Sequence, residues 1–246
     1  MKETIYTIPI NEAYETDCEC PLCELERKLE AEAVEYSLGP AMMEPDFRID
    51  SNDKGFCNKH FSLMFKSTNK LPLALVLDTH LDKLRKELDS IEKSVAKLKD
   101  EKNSLFKKSN ISEITDTLDL VLDKAEHSCV VCEKVNHTME RYIDVLLYMW
   151  TKDDVFREKF SKSKGVCLKH FKMLVSNLKT MKDKDAKEFL ATITEKEIAE
   201  LSRIQEDIHK FTLKFDYRNK DMDWGSAKDA PLRTIEKISG YLTYTE

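Results

Sequence analysis

Two pairs of metal-capable side chains lie in the first quarter of the chain. The stretch CPLCELE places Cys20 three positions before Cys23, and GFCNKHF places Cys57 three positions before His60. A Cys-x2-Cys pair alone is ambiguous, because the same spacing serves redox dithiols and metal sites. Together the two pairs supply three sulfurs and one imidazole nitrogen. That tetrahedral donor set suits zinc first and iron second.

The same pattern recurs in the second half of the chain. Cys129 and Cys132 repeat the first pair at an offset of 109 residues, and Cys167 and His170 repeat the second pair at an offset of 110. The spacers between the pairs are 33 and 34 residues long. This recurrence of residue type, order and spacing predicts an internal duplication. It also predicts two zinc ions per chain, one in each repeat, held by Cys20, Cys23, Cys57 and His60 and by Cys129, Cys132, Cys167 and His170.

Two further metal-capable residues occupy equivalent positions in the repeats. Cys18 lies two residues before the first Cys-x2-Cys pair, and His127 lies two residues before the second. They are candidate extra ligands or groups that support the ligands. The alternative is coincidence, which the sequence favours slightly.

Long amphipathic helices are predicted after each Cys-x2-His pair. In the first repeat the apolar positions alternate steps of four and three residues, which is a heptad seam: Leu77, Leu81, Leu84, Leu88, Ile91, Val95 and Leu98. The second repeat has a weaker version at Ile198, Leu201, Ile208 and Phe215. The pattern predicts helices near residues 73–107 and 185–217. Their seams either pack on one another within the chain, which we favour, or form a coiled coil with another chain.

The predicted fold class is therefore all-α, an internally duplicated helical protein with two metal sites of three cysteines and one histidine each. Residues 1–17, which include Pro9, are expected to form an extended N-terminal arm. Repeat 1 spans residues 18–109 with the first metal site, and repeat 2 spans 110–218 with the second. Residues 219–246 form a tail with a short helix between Asp229 and Gly240.

Composition excludes several classes of protein. The 246 residues carry a net charge of −6, so the basic footprint of a nucleic-acid-binding protein is missing. The N-terminus lacks the apolar run of a signal peptide, and the most apolar stretch, Tyr142–Trp150, falls short of the ~20 residues that a membrane span needs. We therefore expect a cytoplasmic protein without nucleic-acid or membrane partners. In that reducing compartment seven cysteines favour metal binding over a disulfide framework.

The function predicted from these features is structural. The sequence contains no G-x-S-x-G, Walker A, G-x-G-x-x-G or H-E-x-x-H motif. A closed four-ligand zinc site also has no open position for a substrate. The leading hypothesis is a zinc-stabilised, non-enzymatic scaffold or adaptor that binds another protein. One alternative is a thiol-based sensor of zinc or oxidant, and a weaker one is an enzyme with a site between the two halves.

Several stretches together resemble a known group of sequences. These are YTIPINEAYE, DCECPLCELE, MEPDFR, GFCNKHF and KFDYRNKD. They are similar to an uncharacterised bacterial family catalogued as a domain of unknown function. The resemblance covers nearly the whole chain and implies a cytoplasmic bacterial protein, but it implies no activity.

Overall fold

The predicted all-α class is confirmed by a computed structural model, which describes residues 5–100 and 111–242. Across these two ranges the chain forms eleven α-helices and no strand. Short 3₁₀ segments connect some of them. The helices are α1 (Thr7–Glu15), α2 (Pro21–Leu38), α3 (Pro45–Lys54), α4 (Asn58–Phe65), α5 (Leu71–Asp100), α6 (Ile111–His127), α7 (Val130–Lys152), α8 (Asp154–Lys162), α9 (Leu168–Asn177), α10 (Asp183–Leu213) and α11 (Ala230–Ser239).

The N-terminal arm is helical where an extended segment was predicted. Helix α1 begins at Thr7, so Pro9 falls in its first turn. Backbone N–H groups of the first turn have no partner inside a helix, and a proline there removes no hydrogen bond. Ile10 and Tyr14 of this helix are buried. The helix therefore belongs to the core, and the prediction of an extended arm was wrong.

The two long helices lie close to their predicted positions. Helix α5 begins at Leu71, and the predicted end at residue 107 lies outside the described residues. Helix α10 ends at Leu213, four residues early, because a 3₁₀ turn over Tyr217–Asn219 follows and Asp216 caps it by accepting a hydrogen bond from Arg218 N. Helix α5 packs against α3 and α6, and α10 packs against α11. Each long helix thus packs against shorter helices. Packing of the two seams on one another and a coiled coil with another chain both stay predictions.

Compact units of the structure do not follow the predicted repeats. One unit consists of Met1–Lys28 and His137–Glu246, and the other consists of Leu29–Asn136. The chain passes between the units within α2 and within α7. The predicted boundary between the repeats, at residues 109 and 110, lies outside the described residues. The duplication itself remains a prediction from the sequence.

Unit 1, formed by Met1–Lys28 and His137–Glu246, has an aromatic core. The ring of Tyr14 lies 5.1 Å from that of Phe156, edge to face, and Trp150 meets Phe189 in the same way at 5.0 Å. Such edge-to-face pairs add stability beyond the apolar area they bury. Asp153 caps α8 by accepting hydrogen bonds from two backbone N–H groups of its first turn. That cap fixes the helix from which Phe156 enters the core.

Unit 2, Leu29–Asn136, has a smaller core. Helix α6 buries none of its residues, although it packs along α5. Among the described residues of this unit, the buried apolar side chains besides Cys129 are few, and α5 supplies three of them: Ala33, Ala41, Phe56, Met64, Leu73, Val76, Ile91, Val131 and Val135. Burial of apolar area is the main stabilising term for most domains. A unit with so few buried positions depends more on other cross-links.

The helices show no membrane-spanning segment. Over the two described ranges, none of them combines the length with the hydropathy that crossing a membrane requires.

Candidate metal centres

The eight predicted ligands lie in two groups of four. In each group the candidate ligand atoms lie within 4.8 Å of one another. Cluster 1 consists of Cys20, Cys23, Cys167 and His170, all of them in unit 1. Cluster 2 consists of Cys57, His60, Cys129 and Cys132, all of them in unit 2. The two groupings of three cysteines and one histidine agree with the predicted composition of the sites.

The membership of each cluster differs from the prediction. We expected each repeat to hold its own site, with Cys20 and Cys23 joined by Cys57 and His60. The structure instead combines the Cys-x2-Cys pair of one repeat with the Cys-x2-His pair of the other. The predicted assignment of one complete site to each repeat was therefore wrong.

The helices between the two pairs of each repeat differ in length. Helix α2 begins directly after Cys20 and has 18 residues, so it is about 27 Å long. Helix α3, the longest element between α2 and Cys57, has 10 residues and spans about 15 Å. Helix α2 is thus about 12 Å longer than α3. In the second repeat α7, with 23 residues, is likewise longer than α8, which has 9 residues.

Each Cys-x2-Cys pair sits at the beginning of a helix. The backbone N–H of Cys23 donates to Cys20 Sγ at 3.4 Å, and that of Cys132 donates to Cys129 Sγ at the same distance. Free N–H groups and the positive end of the helix dipole favour the thiolate form of cysteine. The helix start thus favours a thiolate at the first sulfur of each pair, whereas burial acts in the opposite direction at Cys20 and raises the pKa of its thiol.

A glycine turn leads into each Cys-x2-His pair. Gly55 has φ +62° and Gly165 has φ +73°, values that disfavour any residue with a Cβ. A Cβ at Gly55 would lie 2.5 Å from His80 Nε2, and one at Gly165 would lie 2.3 Å from Glu197 Oε1. Both the backbone conformation and the close neighbours therefore require glycine at these turns.

Distances inside the clusters fit a tetrahedral metal. Zinc at its usual bond lengths of about 2.3 Å to sulfur and 2.0–2.1 Å to nitrogen sets the donors about 3.8 Å (S–S) and 3.5 Å (S–N) apart. Cys57 Sγ lies 3.7 Å from Cys132 Sγ, and Cys23 Sγ lies 3.6 Å from Cys167 Sγ. The sulfur to histidine Nδ1 distances are 3.1–3.4 Å in cluster 2 and 3.3–3.5 Å in cluster 1. The residues present fit zinc, although the identity of the metal is not fixed by these distances.

Both histidines face the sulfurs through Nδ1 and a glutamate through Nε2. His60 Nε2 lies 2.9 Å from Glu30 Oε1, and His170 Nε2 lies 3.4 Å from Glu26 Oε2. A carboxylate on the second nitrogen fixes the ring orientation and makes the ligating nitrogen more basic. The motif search missed both glutamates. Their spacing of four residues in α2, which places them on one face of that helix, was the available signal.

The lysine before each histidine reinforces this arrangement. Lys59 forms an ion pair with Glu30, and Lys169 forms one with Glu26. Both glutamates are buried, so an unpaired charge there would be costly. The shared Lys-His dipeptide thus places a lysine and a histidine beside one carboxylate in both clusters.

Without a metal, each cluster pairs a protonated histidine with a cysteine thiolate. Burial alone would lower the pKa of both histidines, but hydrogen bonds to thiols and glutamates raise the pKa of His60 to about 10 and that of His170 to about 11. The hydrogen bond from Cys132 lowers the pKa of Cys129 to about 3, against the opposing effect of burial. The thiols of α2 lower the pKa of Cys167 as well. A metal needs a neutral imidazole, so its binding releases protons and weakens as the pH falls.

The two candidate extra ligands stay outside the clusters. Cys18 is half-buried but belongs to neither group of four. Burial raises the pKa of its thiol to about 11. His127 is exposed and pairs with Asp123 in its own helix, at 3.1 Å between Nδ1 and Oδ1. Each cluster has four donors without them.

The fold and the clusters define the class of protein: all-α, with two buried groups of cysteine and histidine that could each bind a metal ion. The family described as "Family of unknown function (DUF6062)" matches residues 1–245, and the chain belongs to it. The match confirms the resemblance to a family of unknown function. No curated protein and no solved structure matches the chain.

Paired substitutions test which ligands share a metal. If Cys20 and Cys167 share one ion, the double variant Cys20→Ser/Cys167→Ser should lose about one metal ion per chain, because both changes remove the same site. Cys20→Ser/Cys57→Ser should lose both ions. Elemental analysis of purified protein measures the difference, and Cys18→Ser is the control that keeps full metal content. The reverse pattern would restore one complete site to each repeat.

The glutamate behind each histidine should tune metal affinity. We expect Glu30→Gln to weaken binding at cluster 2 about 10–100-fold, because the amide polarises the imidazole less than the carboxylate does. Competition with a chromophoric chelator measures the affinity. Glu32→Gln, an exposed position in the same helix, is the matched control. Equal affinities of the two variants would show that Glu30 only fills space.

Proposed function

We propose that the chain is a zinc-stabilised helical scaffold or adaptor that binds another protein. The observation that carries the structural part of this proposal is the closure of both clusters. Each has four protein donors at tetrahedral spacing, so no coordination position is left for a substrate. A site of this kind supplies folding energy and no catalysis.

Zinc is the metal that the donor set favours. Three thiolates and one imidazole in a tetrahedral arrangement are typical of structural zinc, with iron as the second candidate. Structural zinc contributes about 10–16 kcal/mol in small peptides, whereas the net stability of a domain is about 5–15 kcal/mol. Cluster 2 also joins segments that are distant in the chain, since Cys57 and Cys132 lie 75 residues apart. Its metal would act as the principal cross-link of the weakly packed unit 2.

Chelation tests the structural role. The purified chain should contain about two zinc ions, and a strong chelator should abolish most of the helical circular dichroism signal of at least one unit. Returning zinc, with the thiols kept reduced, should restore the signal. A zinc-free chain that keeps its full helical signal and melting temperature would contradict a structural role for the metal.

The adaptor part of the proposal rests on exposed apolar side chains. In α6, Ile111, Leu120 and Leu122 all point into solvent, and Leu120 is 71% exposed. Acidic residues surround them, at Glu113, Asp116, Asp119, Asp123 and Glu126. Exposed apolar side chains can contact a partner, and acidic residues beside them would attract one that carries basic side chains. The partner is therefore proposed to be a different protein with apolar and basic side chains.

Cross-linking in cells that make the protein tests for such a partner. We expect one recurrent heterologous protein on the native chain and its loss with Leu120→Ser/Leu122→Ser. Val155→Ser, on the exposed face of α8, is the matched change of an apolar residue and should leave the partner bound. A native chain that migrates alone at its own mass of 28.7 kDa would contradict an adaptor role.

A further inference from the structure

We propose that cluster 2 is a thiol-oxidation site at which hydrogen peroxide joins Cys57 to Cys132 and releases the metal, while cluster 1 stays reduced. The inference rests on the proposed occupancy of both clusters by zinc. Cluster 2 is thus proposed to react with peroxide, whereas cluster 1, which has the same set of donors, does not. The difference between them comes from their surroundings.

Access to the sulfurs differs between the clusters. In cluster 1 all four residues are buried, and Cys167 and His170 have no exposed surface. In cluster 2 Cys129 and His60 are buried, but Cys57 and Cys132 are each only half-buried. Oxidation of cysteine follows thiolate character and exposure. Zinc thiolates in both clusters have the first property, whereas only Cys57 and Cys132 combine it with access to solvent.

The C-terminal helix explains why cluster 1 is covered. Gly240, which ends α11, lies so close that a Cβ there would be 3.8 Å from Cys23 Sγ and 3.9 Å from Cys167 Sγ. Its φ of +90° favours glycine, which lets the backbone itself lie over the sulfurs. The end of α11 therefore shields two of the three sulfurs of cluster 1.

A buried ion pair holds α11 in that position. Lys237 Nζ lies 2.8 Å from Glu197 Oε2 and donates to the Lys164 carbonyl oxygen at 2.7 Å. The other oxygen of Glu197 accepts a hydrogen bond from the backbone N–H of Val166, the residue before Cys167, at 2.6 Å. Removing one partner of a buried pair leaves an uncompensated charge, so the pair resists opening. The ion pair thus links α11 to the loop that carries the ligand Cys167.

Cys57 and Cys132 are also placed to react with each other. Their sulfurs lie 3.7 Å apart, about 1.7 Å more than the length of a disulfide bond. Cys57 is the residue before α4, and Cys132 lies in the first turn of α7, so side-chain rotation at two helix starts can close the gap. Cluster 1 has a similar distance between Cys23 and Cys167, which means that access, not proximity, separates the two clusters.

The chemistry balances with peroxide as the only oxidant. One thiolate attacks a peroxide oxygen, the O–O bond breaks, and hydroxide leaves as a sulfenic acid forms. The second thiolate attacks the sulfenic sulfur, the S–O bond breaks, and a second hydroxide leaves as the S–S bond forms. Two sulfurs lose two electrons in total and the peroxide oxygens gain them. Only Cys129 and His60 then remain as donors in cluster 2, too few for a closed site.

Peptide mapping of the zinc-loaded full chain tests this assignment. Purified protein is treated with hydrogen peroxide, released zinc is followed with a chromophoric indicator, and free thiols are alkylated before mass spectrometry. We expect release of about one of the two zinc ions, at least about tenfold faster than the second, with a peptide bridged between Cys57 and Cys132. Cys20, Cys23 and Cys167 should stay reduced, and a dithiol reductant with added zinc should reverse the change.

The variant Lys237→Met tests the reason for the difference. Loss of the buried ion pair should make cluster 1 release zinc to peroxide at a rate nearer to that of cluster 2. Lys228→Met, an exposed lysine before the same helix, is the matched control and should behave as the native chain. A folded Lys237→Met protein whose cluster 1 stays as resistant as before would overturn the proposed role of the cover.

Results on the native chain decide the inference even if the variant fails to fold. Equal release from both clusters, earlier oxidation of cluster 1, or a bridge between other cysteines would overturn it. A chain that starts with about two zinc ions and keeps both in peroxide overturns this inference alone and leaves the scaffold intact. A chain that contains no zinc before treatment overturns the scaffold and the oxidation site together.

Discussion

Closure of four donors around one point is the interaction on which each unit depends. In both clusters a Cys-x2-Cys pair at the start of a long helix meets a Cys-x2-His pair that enters a short one. The helices α4 and α9 have only 8 and 10 residues, too short to be stable alone in water. Joining each of them to the start of a longer helix fixes its position. The glycine turns at Gly55 and Gly165 lead the chain into the second pair.

The same donor set is embedded in two different ways. Unit 1 contains an aromatic core in addition to its cluster, and Gly240 at the end of α11 lies beside Cys23 Sγ and Cys167 Sγ. Unit 2 leaves two of its thiols half-buried and has few other buried positions. Apolar burial stabilises unit 1 whether or not its metal is bound, because that area stays buried in either case. A metal bound in cluster 2 would carry a larger share of the stability, because the core of unit 2 is smaller.

The sequence predicted what the ligands are but not how they combine. Residue type and spacing, repeated at offsets of 109 and 110, identify all eight residues and the helices they begin. Which pairs meet is a tertiary property, and a spacer of 33 residues does not reveal where one helix stops. Pro9 suggested an extended arm because its place in a first turn is visible only once the helix start is known. Glu26 and Glu30 were missed because acidic residues are common on exposed helix faces, and their burial is a tertiary property.

The exchanged pairing means that a sequence repeat does not contain a complete metal site. If the two halves arose by duplication, one repeat alone contains a Cys-x2-Cys pair and a Cys-x2-His pair that belong to different clusters. Neither pair has enough donors for a closed zinc site by itself. A second repeat supplies the missing half of both sites at once, so the metal centres are complete only when both repeats are present in one folded chain. The repeat is therefore a unit of sequence, whereas each compact unit of the structure contains one complete cluster.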